Sequence, residues 1–222
     1  MRRILSALLC LTLVLSPVLA FPAQTSFFED YDAIESASSS VIYLEADDDF
    51  DDEIITTGSG FVAFDNKTFI TNYHVIEDAV WIRAYDENYN EYEVGKLIAI
   101  DKDLDIAIIS FKASTDIKPL VLADSPNLKR GQRVAAIGYP QGVSNTFSTG
   151  IISALVQEDG VNEIQFTAPI SQGSSGGALF NAAGEVIGIT SSTLIDSQNI
   201  NYAVDISHVI ALYAQHAGEL ID

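Results

Sequence analysis

Residues 172–179 read Q-G-S-S-G-G-A-L, and a second glycine turn follows within 180–189. A serine between glycine turns can stand on a rigid loop with its hydroxyl exposed. The same glycines let backbone N–H groups converge on one point. Nucleophilic attack on a carbonyl needs both from one short segment: an attacking oxygen, and donors for the charge that develops opposite it. Gly/Ser clusters also build turns and linkers, so the reading depends on a base and an orienting acid elsewhere in the chain. Of three histidines, His208 and His216 fall in a helical stretch near the C-terminus without metal-ligand spacing, and read as surface or capping residues. His74 ends the apolar run 69–76, where a strand gives way to a turn. A strand end is a rigid mount, and histidine is the natural general base at neutral pH. The orienting acid must be a carboxylate beside an apolar strand. Asp101, Asp103 and Asp105 are the candidates. Asp105 directly precedes the apolar run 106–109 and is best placed at the core's edge, whereas Asp101 and Asp103 sit in a more polar connection. Asp105 on one ring nitrogen of His74 would fix the tautomer and stabilise the imidazolium formed when Ser175 loses its proton.

These residues must be positioned by short β-rich runs separated by turn residues. Seven such runs lie at 41–45, 60–64, 69–72, 80–85, 92–100, 105–111 and 120–122. Six more lie at 133–139, 146–155, 163–168, 178–180, 186–191 and 201–204. Strands this numerous and evenly spaced indicate an all-β sandwich or barrel, and the polar, turn-rich stretch 127–131 is its natural seam. The expected organisation is a signal peptide over 1–20, an N-terminal helical segment over 21–40, a first β-rich half over 41–126, and a second β-rich half with a terminal helix over 127–222. Phe27, Phe28, Tyr31 and Ile34 predict an amphipathic helix across 27–38. Val209, Ile210 and Tyr213 predict another over 206–217, packed on the outside of a barrel.

Composition narrows the function. The 222-residue chain carries 31 acidic against 11 basic residues, a net charge of −20, which disfavours a phosphate-binding surface. Such a field favours cationic partners and repels anionic ones. Arg2 and Arg3, the apolar stretch 4–15 and the small residues before position 20 form a secretory signal pattern, too short and interrupted for a confident membrane span. The one cysteine, Cys10, lies inside it, so the exported chain would be held together by packing without disulfides. Residues 45–53 hold seven carboxylates and should form a solvated loop between two strands. Cation binding is the sharper alternative, although the EF-hand spacing is absent. Asn66-Lys67-Thr68 is a glycosylation tripeptide that matters only in a host that modifies exported proteins.

The order His74, Asp105, Ser175 resembles the chymotrypsin-like serine proteases, and the local motifs resemble the HtrA/Deg branch. The carrying segments are Gly58-Ser-Gly-Phe-Val62, Ile70-Thr-Asn-Tyr-His-Val75, Asp105-Ile-Ala107, Ala136-Ile-Gly-Tyr-Pro-Gln-Gly142, Ser148-Thr-Gly-Ile-Ile-Ser-Ala154, Gly173-Ser-Ser-Gly-Gly-Ala-Leu179 and Gly184-Glu-Val-Ile-Gly188. The resemblance implies two perpendicular six-stranded antiparallel barrels, an N-terminal β-barrel over 41–126 and a C-terminal β-barrel over 127–222. His74 and Asp105 would come from the first, Ser175 from the second, and the active site would lie in the cleft between them. It implies an oxyanion hole from the N–H groups of Gly173 and Ser175, no cofactor and no metal. Ser174 stands where digestive relatives keep an aspartate that pairs with a newly cut N-terminus, so that mode of activation is not expected. Ala178 replaces a proline common in the family. Pro169 stands where a trypsin-type pocket keeps an acid. Ile170, Thr190, Ser191 and Ser192 are expected to line the primary pocket and to accept a small or medium apolar side chain. No PDZ domain is expected after Val204. The implied protein is a secreted or periplasmic endopeptidase acting on unfolded or misfolded protein, with no nucleic-acid partner and no stable membrane anchor. A homotrimer could use Phe27, Phe28 and Tyr31, which could equally pack on their own barrel. Two alternatives remain: a non-catalytic, chaperone-like binding module on a protease fold, and a glutamate-selective endopeptidase.

Overall fold

The computed structural model describes residues 25–47, 54–124, 127–142, 144–158, 160–191 and 200–216. The signal segment, residues 48–53 of the acidic stretch and Ser192 lie outside the described residues.

Twelve strands form two closed antiparallel barrels of six strands each, as the resemblance implied. The first barrel holds β1 (Val41–Asp47), β2 (Ile54–Val62), β3 (Thr68–Thr71), β4 (Trp81–Tyr85), β5 (Glu91–Asp101) and β6 (Ile106–Phe111) in the order β1-β2-β3-β6-β5-β4. The second holds β7 (Arg133–Gly138), β8 (Thr146–Glu158), β9 (Val161–Phe166), β10 (Ala178–Phe180), β11 (Val186–Ser191) and β12 (Asn201–Asp205) in the order β10-β11-β12-β9-β8-β7.

Alternation along the strands builds three apolar clusters. Ile42, Leu44, Ile109 and Phe111 fill the first barrel. Val134, Ala136, Ile152 and Phe166 fill the second. Their neighbours in sequence point the other way: Val41, Tyr43, Ile106 and Ile108 meet Ala135, Ile137, Ala178 and Phe180 in a third cluster joining the two barrels. Side chains on a strand alternate faces, so a strand buried on both faces reads as one unbroken apolar run, as β6 does in sequence.

Several expectations need correction. The run 120–122 is not a strand: Leu120 and Leu122 make isolated parallel bridges to Ala63 and Val186 on the connection between the barrels. The β1 strand continues through Glu45 to Asp47, so the acidic stretch begins inside a strand. Pairing with β4 carries it there, Asp47 facing Trp81 and lying 3.9 Å from Arg83. The expected N-terminal helix is two pieces, a 3₁₀ turn (Phe27–Glu29) and α1 (Tyr31–Ser38). Asp30 between them is extended, and its carboxylate caps α1 by accepting from the Ala33 N–H at 3.1 Å. The break lets Phe27 stack on Phe180 and meet Phe147 edge-on. Phe27 and Phe28 are therefore buried in their own chain, and Tyr31 is left 80% exposed. The closing helix, α2 (Ile206–His216), buries Ile206, Val209 and Leu212. Tyr213 lies flat on Phe64 at 3.7 Å between ring centroids and an 8° tilt, so the helix also touches the first barrel.

Candidate active site

His74 sits on a 3₁₀ turn (Tyr73–Val75) that ends β3, with Val75 buried beneath it. The turn holds the ring at the barrel rim with its side chain 44% exposed. Asp105 lies in the β5–β6 connection with φ +54°, a left-handed conformation unusual for a residue with a side chain. Three consecutive residues hold it there. Its carbonyl accepts from the Asn72 side-chain amide at 2.9 Å and from the Tyr73 N–H at 3.2 Å. Its carboxylate accepts from the His74 N–H at 2.8 Å through Oδ1 and meets His74 Nδ1 at 2.7 Å through Oδ2. An ionised carboxylate only accepts, so Nδ1 is the donor in this contact, and the neutral tautomer it selects presents Nε2 as acceptor.

Ser175 belongs to the loop between β9 and β10, and is 5% exposed. The first barrel grips this loop. The Ser59 N–H donates to the Ser175 carbonyl at 2.7 Å, and the Gly176 N–H donates to Asn72 Oδ1 at 2.7 Å. Its own barrel adds further ties. The Gly176 N–H is shared with the Thr190 carbonyl at 2.9 Å, and the Thr190 hydroxyl donates to the Ser174 carbonyl at 2.6 Å. Asn72 is two residues from His74, so these bonds seat the serine loop against the strand end that carries the histidine. Gly176 has φ +86°, and a Cβ there would run into the Ser59 carbonyl and the Thr71 hydroxyl. Only glycine fits where the two barrels come this close.

Gly173 has φ +92°. The preceding carbonyl, of Gln172, accepts from the Gln141 N–H at 2.7 Å. A trans peptide sets its N–H opposite to its C=O, so the Gly173 N–H points away from Gln141. It has no acceptor among the described residues. Gln141 is itself left-handed, at φ 56°. Its turn packs on Tyr43 and Tyr139, whose rings lie 5.7 Å apart. Burial, then the charge of Glu45, pushes the Tyr43 phenol up to about 12, and burial raises Tyr139 further.

Among the residues expected to form a primary pocket, Ile170 and Thr190 line a cavity of about 250 Å³ with Ile137, Pro169 and Ser174. Ser191 is buried at the end of β11. His208 and His216 stand apart from the site: His208 Nε2 accepts from the Asn162 N–H at 2.9 Å, and His216 Nδ1 lies 2.9 Å from the Leu212 carbonyl. Sequence reasoning did not single out Ser59, Asn72 or Gln141. Ser59 and Asn72 are polar residues inside apolar runs, in G-S-G-F-V and F-I-T-N, and all three fall in segments that carry the family resemblance.

Residues 58–189 match the family described as Trypsin-like peptidase domain. The anti-sigma-I factor RsgI9 of Acetivibrio thermocellus is 33% identical over 176 residues, covering 79% of this chain and 24% of that protein. A Pseudomonas fluorescens protein named "Probable periplasmic serine endoprotease DegP-like" is 39% identical over 161 residues, covering 69% of this chain and 33% of that protein. The crystal structure of the serine endoprotease from Yersinia pestis superposes with a TM-score of 0.74 at 29% identity, covering 84% of this chain and 66% of that one. The chain thus spans about a quarter to a third of the length of these two relatives.

Proposed function

The chain belongs to the trypsin-like peptidase family, and from that premise we propose that it is an exported serine endopeptidase. Ser175 Oγ attacks the scissile carbonyl and passes its proton to His74 Nε2. Asp105 holds the ring and stabilises the imidazolium. The N–H groups of Gly173 and Ser175 take up the negative oxygen of the tetrahedral intermediate. The intermediate then collapses, breaking the C–N bond, and His74 returns the proton to the leaving amine. A water then attacks the acyl ester as His74 takes its proton, and His74 returns that proton to Ser175 Oγ as the ester C–O bond breaks and the acid product leaves. The observation that carries this reading is the two-point grip of Asp105 on His74, one carboxylate oxygen on the backbone N–H and the other on Nδ1. It turns Nε2 away from the acid and leaves it as a base.

The proposed substrates are unfolded or misfolded proteins, cut after a small or medium apolar residue. Pro169 in place of an acid and the apolar Ile170 beside it support that preference. Ile170, Thr190, Ser191 and Ser192 are the proposed pocket residues. Export is supported by the charged and apolar N-terminal pattern and by the periplasmic name of one relative. If a homotrimer forms, Tyr31 is its exposed N-terminal aromatic residue. A fluorophosphonate probe should label wild-type protein at Ser175, and Ser175→Ala should lose both labelling and casein cleavage. An unlabelled wild type, or a Ser175→Ala chain that still cleaves casein, would sink the proposal.

A further inference from the structure

Ser59 is fully buried on β2 and makes four hydrogen bonds. Its N–H donates to the Ser175 carbonyl at 2.7 Å, and its carbonyl accepts from the Thr71 hydroxyl at 2.7 Å. Its own hydroxyl accepts from the Tyr139 N–H at 2.8 Å and donates to the Gly173 carbonyl at 2.7 Å. The backbone bonds need no particular side chain. The hydroxyl bonds need a group that donates and accepts at once, and serine is the smallest residue that has one.

The hydroxyl closes a ring. From Ser59 it runs to Gly173, back one residue to Gln172, across to Gln141, and through the turn to Tyr139, which returns to Ser59. Inside the ring the Gly173 N–H has two flanking carbonyls. That of Gln172 is fixed by Gln141 and that of Gly173 by Ser59. Between the two planar peptides the only soft variables are the φ and ψ of a glycine, the residue with the widest conformational freedom. Gln141 sets the plane that carries the Gly173 N–H, while Ser59 sets the next plane through the Gly173 carbonyl and, through the Tyr139 N–H, holds the turn on which Gln141 stands. An oxyanion donor acts through being aimed in advance, so that nothing reorganises during the reaction.

We infer that the Ser59 hydroxyl is a positioning residue that aims the Gly173 N–H at the oxyanion. The inference rests on Ser175 being the nucleophile. Without the hydroxyl, the buried Gly173 carbonyl loses its donor and the Tyr139 N–H its acceptor. The turn carrying Gln141 and the peptide after Gly173 each lose an anchor, and the Gly173 N–H drifts off the target with them. The charge on that oxygen develops only in the transition state, so the loss falls on kcat more than on KM.

The test uses the full chain as wild type, Ser59→Ala and Ser59→Cys, with a chromogenic peptide substrate and a peptide boronate that mimics the tetrahedral intermediate. Ser59→Ala should lower kcat about 10- to 100-fold, short of or equal to losing one donor outright, with KM within about twofold. Boronate affinity should fall by the same factor as kcat/KM. The acidic limb of the kcat/KM pH profile should stay in place, because His74 and Asp105 make no bond to Ser59. Wild-type kcat in Ser59→Ala overturns the inference, as does a lowered kcat accompanied by a displaced acidic limb. Ser59→Cys keeps the side-chain shape at a slightly larger volume and offers only a weak donor and acceptor; its kcat should lie between the other two. If Ser59→Ala fails to show a cooperative melt, Ser59→Cys decides, and wild-type kcat there overturns the assignment. Fluorophosphonate labelling of wild type separates the two levels. An unlabelled wild type removes the nucleophile and this inference with it, whereas a labelled wild type beside an unaffected Ser59→Ala removes this inference alone.

Discussion

Replacing Gly176 with alanine should damage the joint between the barrels and the nucleophile at once. The residue has φ +86°, and the added Cβ would meet the Ser59 carbonyl and the Thr71 hydroxyl. Holding an L-residue in left-handed backbone costs about 1–2 kcal/mol. The contact is with backbone on a neighbouring strand, which cannot swing aside as a flexible side-chain end can. Relief requires the barrels to move apart, and overpacking of this kind costs about 1–3 kcal/mol. The sum is about 2–5 kcal/mol of lost stability. The same movement lengthens the Ser59 to Ser175 and Asn72 to Gly176 bonds, both now 2.7 Å. Peptide hydrolysis should therefore fall more than the folded fraction does. Urea denaturation followed by tryptophan fluorescence gives the first quantity, and initial rates on the same preparation give the second. A Gly176→Ala protein whose stability changes by less than about 0.5 kcal/mol, with full activity, would refute the reasoning.

Other outcomes follow from the same geometry. Asp105→Asn replaces an acceptor-only group with one that must also present an N–H, to the His74 backbone or to Nδ1. The wrong tautomer should lower kcat about 10⁴-fold at similar KM, and a loss below about tenfold in initial-rate assays would count against the assigned role. Tyr213→Ala removes the ring stacked on Phe64. It should destabilise by about 2 kcal/mol, seen as a drop of about 4–8 °C in melting temperature, while kcat and KM hold. Tyr43 and Tyr92 are both pushed up to about 12, first by burial. Their unfolded forms ionise near pH 10 and their folded forms later. Their contribution is thus complete below about pH 10 and is lost as pH rises from there through 12. Tyr43→Phe should flatten the fall in stability between pH 10 and 12 in denaturant titrations, and an unchanged slope would argue against burial as the cause.

The strands were legible in sequence because each carries its own short-range signal, whereas their closure into two barrels was implied only by the family resemblance. The run 106–109, for example, marks β6. His74 and Asp105 were legible for the same reason, since each sits at the end of an apolar run. What escaped was long-range. Ser59 meets its Gly173 partner 114 residues away, and Asn72 meets Gly176 across 104. Neither spacing leaves a local pattern, so both residues look like polar interruptions in a strand. Leu120 and Leu122 misled in the opposite direction. They are apolar and alternate, as a strand would, but they lie on the crossover and bridge one barrel and then the other. The split of the N-terminal helix at Asp30 has a signal that was passed over, because aspartate before a helix reads as a cap.

The peptide unit joining Ser175 to Gly176 takes a bond from the other barrel at each end, Ser59 on its oxygen and Asn72 on its nitrogen. That arrangement sets an order of events during synthesis. The segment with His74 and Asp105 emerges first and can close its barrel. The serine loop comes about a hundred residues later, and its final shape waits for docking. Until then the second barrel supplies only its own ties, such as those from Thr190. On the roles proposed for His74, Asp105 and Ser175, the docking of one barrel on the other is therefore the step that completes the site.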